Sequence, residues 1–365
     1  MKIAFLNIFN GVVERGSEVF VSELSKRLSQ ECEVEVLQIG DGSGELGYKT
    51  IKIGGIPKII PQGKGAPASS GVKSFIYYQY YHLTVLLFTL KCIPHILTHN
   101  YDWVIPVNGG WQVLICRILR AFNGYKILVS GHAGIGADDR FNLLLGKPDK
   151  FIALSPNAFI WSQSFYDKHK LEFIPDGVDT NKFNPNVLPQ KINLSKPVVL
   201  CVSALLPYKK VDLVIKAVAE MKRGNLLLIG EGPLTDEIDR IGQSLLGKRF
   251  IHLTKANHED MPAYFRAADV FTLASSPTEA FGMVYIEAMA CNIPVVGPDD
   301  INRRSIIGDA GLQCDPNDVV SYAKTLEQAV KMDFGNKPRE KAEEYSWDNI
   351  AKQYMRIFER SSNQL

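Results

Sequence analysis

The segment KIAFLNIFNGVVERGSEVFVSELSKRLSQECEVEVLQI, Lys2 to Ile39, decides how the chain folds. Ile3 to Ile8 is a short apolar run of the buried-strand type, and Gly11 to Ser17 is a loop. Glu18 to Leu28 places Val19, Phe20, Leu24 and Leu28 at helical spacing. Val34 to Ile39 is a second apolar run. A strand, a crossover helix and a second strand make a parallel pair, because parallel neighbours cannot be joined by a tight turn. Further strand-like runs follow at Trp103 to Val107, Lys126 to Ser130 and Phe151 to Leu154.

The alternation restarts after Pro185. Strand-like runs at Val198 to Ser203, Asn225 to Ile229, Phe250 to Leu253, Val270 to Leu273 and Pro294 to Val296 enclose helical stretches at Val211 to Met221, Leu234 to Leu246, Met261 to Ala268 and Val284 to Ala290. The Pro- and Asn-rich piece from Asn181 to Ser195 separates the two series. The chain is therefore expected to form two Rossmann-like, doubly wound α/β domains facing each other across a ligand cleft. The first covers residues 1–180 and the second 181–345, with an amphipathic tail over 346–365. In such sheets ligands lie beyond the carboxyl ends of the strands.

Composition excludes some functions. The 365 residues are 46% hydrophobic and 22% charged, enough apolar material for two cores and unlike a disordered chain. Lys and Arg total 41 against 39 Asp and Glu, so the net charge of +2 gives no support to a nucleic-acid partner. Cys32, Cys92, Cys116, Cys201, Cys291 and Cys314 form no CxxC pair and read as reduced thiols. Asn7 and Asn10 interrupt the first apolar run, which argues against a signal peptide and for a cytoplasmic protein. Ser74 to Leu90 carries no Asp, Glu, Lys or Arg, yet it is too short and too polar to span a bilayer. It reads as a buried or membrane-grazing helix. Gly54 to Gly71, with five glycines and three prolines, reads as a mobile functional loop.

The chemistry concentrates in Glu279-Ala-Phe-Gly-Met-Val-Tyr-Ile-Glu287. One carboxylate stands in a loop after a strand, and a second stands in the first turns of the next helix. Between them, Phe281, Gly282 and Met283 bring backbone N–H groups to a helix N-terminus, where an anion is favoured. The loop carboxylate can accept from sugar hydroxyls and the helical one from a vicinal ribose diol. A capped helix with one surface and one structural glutamate fits the same spacing, and the neighbouring residues decide between these readings.

Together with Ser275-Ser-Pro-Thr278 before it and Ala288-Met-Ala-Cys-Asn-Ile-Pro-Val-Val296 after it, this stretch resembles the glutamate-x7-glutamate signature of family-4 (group 1) retaining glycosyltransferases. Those are GT-B enzymes that use nucleotide-sugar donors. The resemblance covers most of the chain and is weakest between about residues 40 and 100. It implies that Glu279 holds donor-sugar hydroxyls and Glu287 the ribose. Ser203-Ala-Leu-Leu-Pro-Tyr-Lys209-Lys210 resembles the diphosphate-binding segment, with Lys209 on the family lysine. Gly230-Glu-Gly-Pro233 is similar to the turn near the nucleobase, and Asp176-Gly-Val-Asp179 to the segment closing the first domain. His132, in Ser130-Gly-His-Ala-Gly134, takes the place of the histidine near the reacting carbon. Gly16 would let backbone approach the diphosphate, although the full family pattern has two glycines there. The family's phosphate-binding arginine falls on Ala204. Arg15 is the expected substitute cation and Lys210 its competitor.

The expected activity is retaining transfer of a sugar from a nucleotide-diphosphate sugar to the hydroxyl of a glycan, a lipid-linked sugar or a small molecule. His132, Lys209 and Glu279 are the expected catalytic residues. Arg15, Gly16, Ser203, Lys210, Gly230, Phe281, Gly282, Met283 and Glu287 are the expected donor-binding ones. No metal is expected, and Asp138-Asp139 and Asp299-Asp300 read as solvated loop carboxylates. The tail resembles the GT-B helix that crosses back to the first domain. The aromatic run from Phe75 to Tyr81 either packs internally, which is the favoured reading, or meets a lipid-linked acceptor at the inner membrane face. A non-catalytic nucleotide-sugar-binding subunit, motivated by Ala204, and a nucleotide-sugar epimerase are the alternatives. A Rossmann dehydrogenase is disfavoured because no GxGxxG follows the first strand.

Overall fold

The structure is a computed structural model that describes residues 1–13, 16–41, 47–56, 72–132, 134–277, 279 and 281–362. The chain divides into two units. One comprises Met1–Asp176 with Trp347–Leu365, and the other Gly177–Ser346.

The first unit runs β1 (Lys2–Leu6), α1 (Gly16–Leu28), β2 (Glu33–Gln38), β3 (Lys49–Lys52), α2 (Val72–Thr98), β4 (Trp103–Pro106), α3 (Trp111–Asn123), β5 (Lys126–Ser130), α4 (Ala137–Phe141), β6 (Lys150–Ala153), α5 (Pro156–Ser162) and β7 (Leu171–Phe173). Its strands form one parallel sheet in the order β3-β2-β1-β4-β5-β6-β7. β1 is central, with Phe5 in register with Val36 on one side and Ile105 on the other. Its four apolar residues Ile3 to Leu6 are fully buried, as a strand covered on both faces requires.

The second unit runs β8 (Val198–Val202), α6 (Val211–Glu220), β9 (Asn225–Ile229), α7 (Thr235–Leu246), β10 (Phe250–Leu253), α8 (Met261–Ala267), β11 (Val270–Thr272), α9 (Met283–Ala290), β12 (Val295–Pro298), α10 (Ile301–Ile307), β13 (Gly311–Cys314), α11 (Val319–Lys331) and α12 (Lys337–Glu344). Its parallel sheet has the order β10-β9-β8-β11-β12-β13. Val178 and Ser346 form a parallel bridge where the chain enters and leaves this unit.

The last helix, α13 (Trp347–Ser362), completes the core of the first unit. Trp347, Ile350, Tyr354 and Phe358 are buried, and the Phe20 ring of α1 lies 6.2 Å from Trp347 and 5.9 Å from Tyr354. Arg27 of α1 pairs with Asp348 at its start.

Two doubly wound parallel sheets are what the alternating pattern predicts. Helix α2 is longer than the uncharged run suggests. It continues through Lys91, whose ammonium donates to the carbonyls of Gly54 and Gly55, and through Pro94. Thr84 and Thr89 are buried within it because each hydroxyl donates to the carbonyl four residues back. Of the glycine-rich loop, residues 57–71 lie outside the described residues.

Candidate functional site

The strand order of the second unit reverses between β8 and β11, the place where doubly wound sheets hold their ligands. The chain leaves β8 into a turn ending at Lys209, and leaves β11 into the loop that carries Glu279. The structure brings these two side chains into direct contact, Lys209 Nζ donating to Glu279 Oε1. Both are largely buried. The other oxygen, Oε2, accepts from Arg303 Nη2 at 3.2 Å. That nitrogen also donates to Ser275 Oγ at 2.8 Å and to the Ser276 carbonyl at 2.9 Å. Burial alone would raise the Glu279 pKa, but the Lys209 and Arg303 charges outweigh it and hold the carboxyl below its ordinary value.

Arg303 reaches this position from α10, which follows β12. Asp300 caps that helix by accepting from the backbone N–H of Asn302 at 2.9 Å and of Arg303 at 3.0 Å. Its Oδ2 lies 3.4 Å from Arg303 Nη1. Asp300 is thus a capping and pairing carboxylate rather than a solvated one, whereas Asp299 sits at the surface on Arg304.

Around this cluster the backbone is tight. Gly230 has φ +139°, and a Cβ there would lie 1.9 Å from the Ser203 carbonyl oxygen. The ends of β8 and β9 therefore close on each other only with glycine at 230. Ser203 donates its hydroxyl to the Ala204 carbonyl at 2.9 Å, and Ala204 itself is exposed. Lys210 adopts a left-handed backbone before α6 and donates to Asn317 Oδ1 at 3.3 Å, so the structure does not bring it to Glu279. Phe281 is buried, and Gly282, with φ +97°, opens α9 at Met283. A Cβ on Gly282 would stand 3.8 Å from the Glu279 carboxyl carbon, which sets that carboxylate beside the helix start. Glu287 is one turn further on and nearly buried, 3.8 Å from His258 Nε2. The other His258 nitrogen lies 2.8 Å from Lys182 Nζ.

In the first unit, Gly16 begins α1, and Arg15 lies outside the described residues. The His132 ring packs on Phe20 at 4.5 Å between centroids. Its Nδ1 is 3.9 Å from Asp176 Oδ2, and its Nε2 is buried without a hydrogen-bond partner. Burial pushes His132 down to about 4 and Asp176 up to about 7, so near neutrality His132 is uncharged and Asp176 is about half protonated. Asp139 is also buried and pushed up to about 7 by desolvation, unlike a solvated loop carboxylate, while Asp138 is exposed.

Sequence reasoning missed Arg303, His258 and Asp176 as side chains of these sites. Arg303 had a signal: Asp300 followed by Asn302-Arg303 at a strand's carboxyl end is a capped helix opening onto the ligand edge. Among the described residues, Glu35, His95 and His99 could offer ligand atoms within 4.8 Å of one another. However, Lys2 and Lys49 both lie on Glu35 Oε1, and His95 and Tyr101 lie on Oε2. A divalent cation would have to displace charges that already satisfy this carboxylate.

Two parallel, doubly wound sheets in one chain, with a cation–carboxylate cluster at the switch point of the second, define a protein of the GT-B architecture. Residues 186–347 match the family described as "Glycosyl transferases group 1". It is 33% identical over 153 residues to a GDP-mannose-dependent alpha-(1-6)-phosphatidylinositol monomannoside mannosyltransferase of Mycolicibacterium smegmatis, matching 37% of this chain and 40% of that protein. It is 26% identical over 188 residues to a sulfoquinovosyl transferase of Arabidopsis thaliana, matching 47% of this chain and 36% of that one. The chain thus spans well under two thirds of the length of these relatives. Over the whole fold it resembles a sucrose-phosphate synthase of Thermosynechococcus elongatus, with a TM-score of 0.79, 20% identity and 100% of both chains covered. HepE of Anabaena, solved with UDP and glucose, gives 0.75 at 18% identity over 99% of this chain and 100% of that one.

Proposed function

We propose that this chain transfers a sugar from a nucleotide-diphosphate sugar to an acceptor hydroxyl, retaining the anomeric configuration and using no divalent metal. The observation that carries this reading is the contact between Lys209 and Glu279 where β8 and β11 part. A mobile ammonium beside a carboxylate suits a ligand that has a diphosphate on one side and hydroxyls on the other.

In this reading Glu287 accepts from the ribose diol, Lys209 meets the diphosphate, and the N–H groups at Gly282 and Met283 add positive potential. Glu279 accepts from donor-sugar hydroxyls. The bond between the anomeric carbon and the diphosphate oxygen breaks with its electron pair leaving on the diphosphate. The acceptor oxygen bonds to the same face, and its proton passes to a donor phosphate oxygen. His132, the residue that the resemblance assigns near the reacting carbon, is a neutral imidazole. The names of the relatives put GDP-mannose and UDP-glucose first among donors to try.

The test is incubation of the purified chain with GDP-mannose, UDP-glucose and related donors, reading nucleoside diphosphate release and the anomeric proton of the product by NMR. An equatorial product from an axial donor would overturn retention. Activity abolished by EDTA and restored by manganese would overturn metal independence. Tight donor binding with neither transfer nor hydrolysis would favour the non-catalytic reading that Ala204 motivates.

The exposed apolar face of α2 supports an acceptor held at a lipid surface. By length and composition Ile76–Thr98 could cross a membrane, yet only 33% of its apolar window is buried. Its inward residues Val85, Phe88, Cys92 and Ile96 are core, while Ile76, Tyr80, Leu83, Leu90 and Leu97 are exposed at helical spacing. The adjoining α3 exposes Trp111, Ile118 and Phe122, with Arg117 beside them. Apolar side chains with a nearby cation suit an anionic monolayer, which a lipid-linked acceptor would share. Leu83→Glu with Leu90→Glu should abolish co-sedimentation with phosphatidylglycerol vesicles while leaving nucleotide binding intact. Unchanged sedimentation would remove the membrane contact.

A further inference from the structure

The switch point of the second unit holds two cations on one carboxylate. Arg303 is fully buried, and only its Nη2 makes hydrogen bonds, to Ser275, Ser276 and Glu279. Its Nη1 faces Asp300 Oδ2 at 3.4 Å, and its Nε is buried without a hydrogen-bond partner. A buried guanidinium with its Nε left unpaired costs folding free energy, which invites a role beyond stability.

Lys209 is already committed. Its ammonium rests on Glu279 Oε1, and a bound diphosphate must draw it away or share it. A buried carboxylate that loses its sole counter-charge is strongly disfavoured. Arg303 changes this, because it occupies the opposite oxygen and its planar fork stays in place when Lys209 turns. We propose that Arg303 is a positioning residue, which keeps Glu279 paired and aimed while Lys209 passes from Glu279 to the donor diphosphate. The inference rests on the donor reading above. It also gives the site a second cation despite Ala204, placed on the carboxylate side and contributed by α10.

The test is calorimetric titration of wild type, R303M, E279Q and the R303M/E279Q double variant with UDP, GDP and ADP. In R303M, Lys209 becomes the only cation on Glu279, and affinity for the preferred diphosphate should fall about tenfold or more. Adding E279Q frees Lys209 and should return affinity to within about threefold of wild type. A site merely disordered by R303M would not recover on losing a second side chain. Wild-type affinity in R303M, or a double variant as weak as R303M, overturns the inference. If R303M loses its cooperative melt, R303K carries the test. It keeps a cation on Glu279, so its affinity should stay within about threefold of wild type, and a tenfold loss overturns the proposal. Failure of all three nucleotides to bind wild type would instead overturn the donor reading, and the inference with it.

Discussion

His132 and Asp176 face each other inside the first unit, and burial drives each toward neutrality. The signs of their effects on stability are opposite. Asp176 titrates near 7 when folded against an ordinary 3.8, so over that window the folded chain holds a proton that the unfolded chain has lost. Its contribution to stability therefore falls as pH rises. Asp139, also near 7, acts the same way. His132 titrates near 4 against an ordinary 6.5, so the unfolded chain binds more protons there and stability rises with pH. Asp176→Asn should therefore raise the melting temperature at pH 8 and barely change it at pH 4. Equal gains at both values would mean that the effect is packing. In the second unit, Lys209→Ala should lower kcat by roughly 10²–10³, the usual effect of losing a charge-stabilising donor, with a smaller change in KM. Steady-state kinetics on the donor found by screening would check it, and an unchanged kcat would remove Lys209 from the chemistry.

At the scale of elements, three strands escaped the sequence reading: β3, β7 and β13. All three are sheet edges. An edge strand pairs on one side only and needs no continuous apolar run, and β3, Lys-Thr-Ile-Lys, carries a lysine at each end. The central strands β1, β5, β8 and β9 were legible because burial on both faces demands such runs. Turns carry their own constraint. Gly230→Ala would place a methyl against the Ser203 carbonyl at a backbone angle that favours glycine. It should cost more than the ~1 kcal/mol typical of a point change, read as a drop in the denaturation midpoint. A cost below that would mean the β8 and β9 ends can part.

At the scale of the molecule, the first unit is discontinuous in sequence. Its core needs α13, where Trp347, Ile350, Tyr354 and Phe358 are buried and Trp103 of β4 lies 5.2 Å from Phe358. Tyr354→Ala should cost about 3–5 kcal/mol, as for other buried aromatics. Deleting residues 347–365 should strip amide protection from β1 and β4 while β8 and β9 stay protected, as hydrogen exchange would show. Loss of protection in both sheets alike would mean that the units unfold together.

The sequence by itself determined two parallel sheets, their central strands, the glycine at 230 and a carboxylate loop after β11. Those features follow from local periodicity, backbone freedom and spacing along the chain. Only the tertiary structure decided which charges share a site. Lys209, Glu279 and Arg303 come from three connections after β8, β11 and β12, and a parallel sheet brings such connections to one edge whatever their distance in sequence. Whether a carboxylate such as Asp139 or Asp176 is solvated or neutral was likewise settled by what packs over it, which no neighbouring residue in the chain reveals.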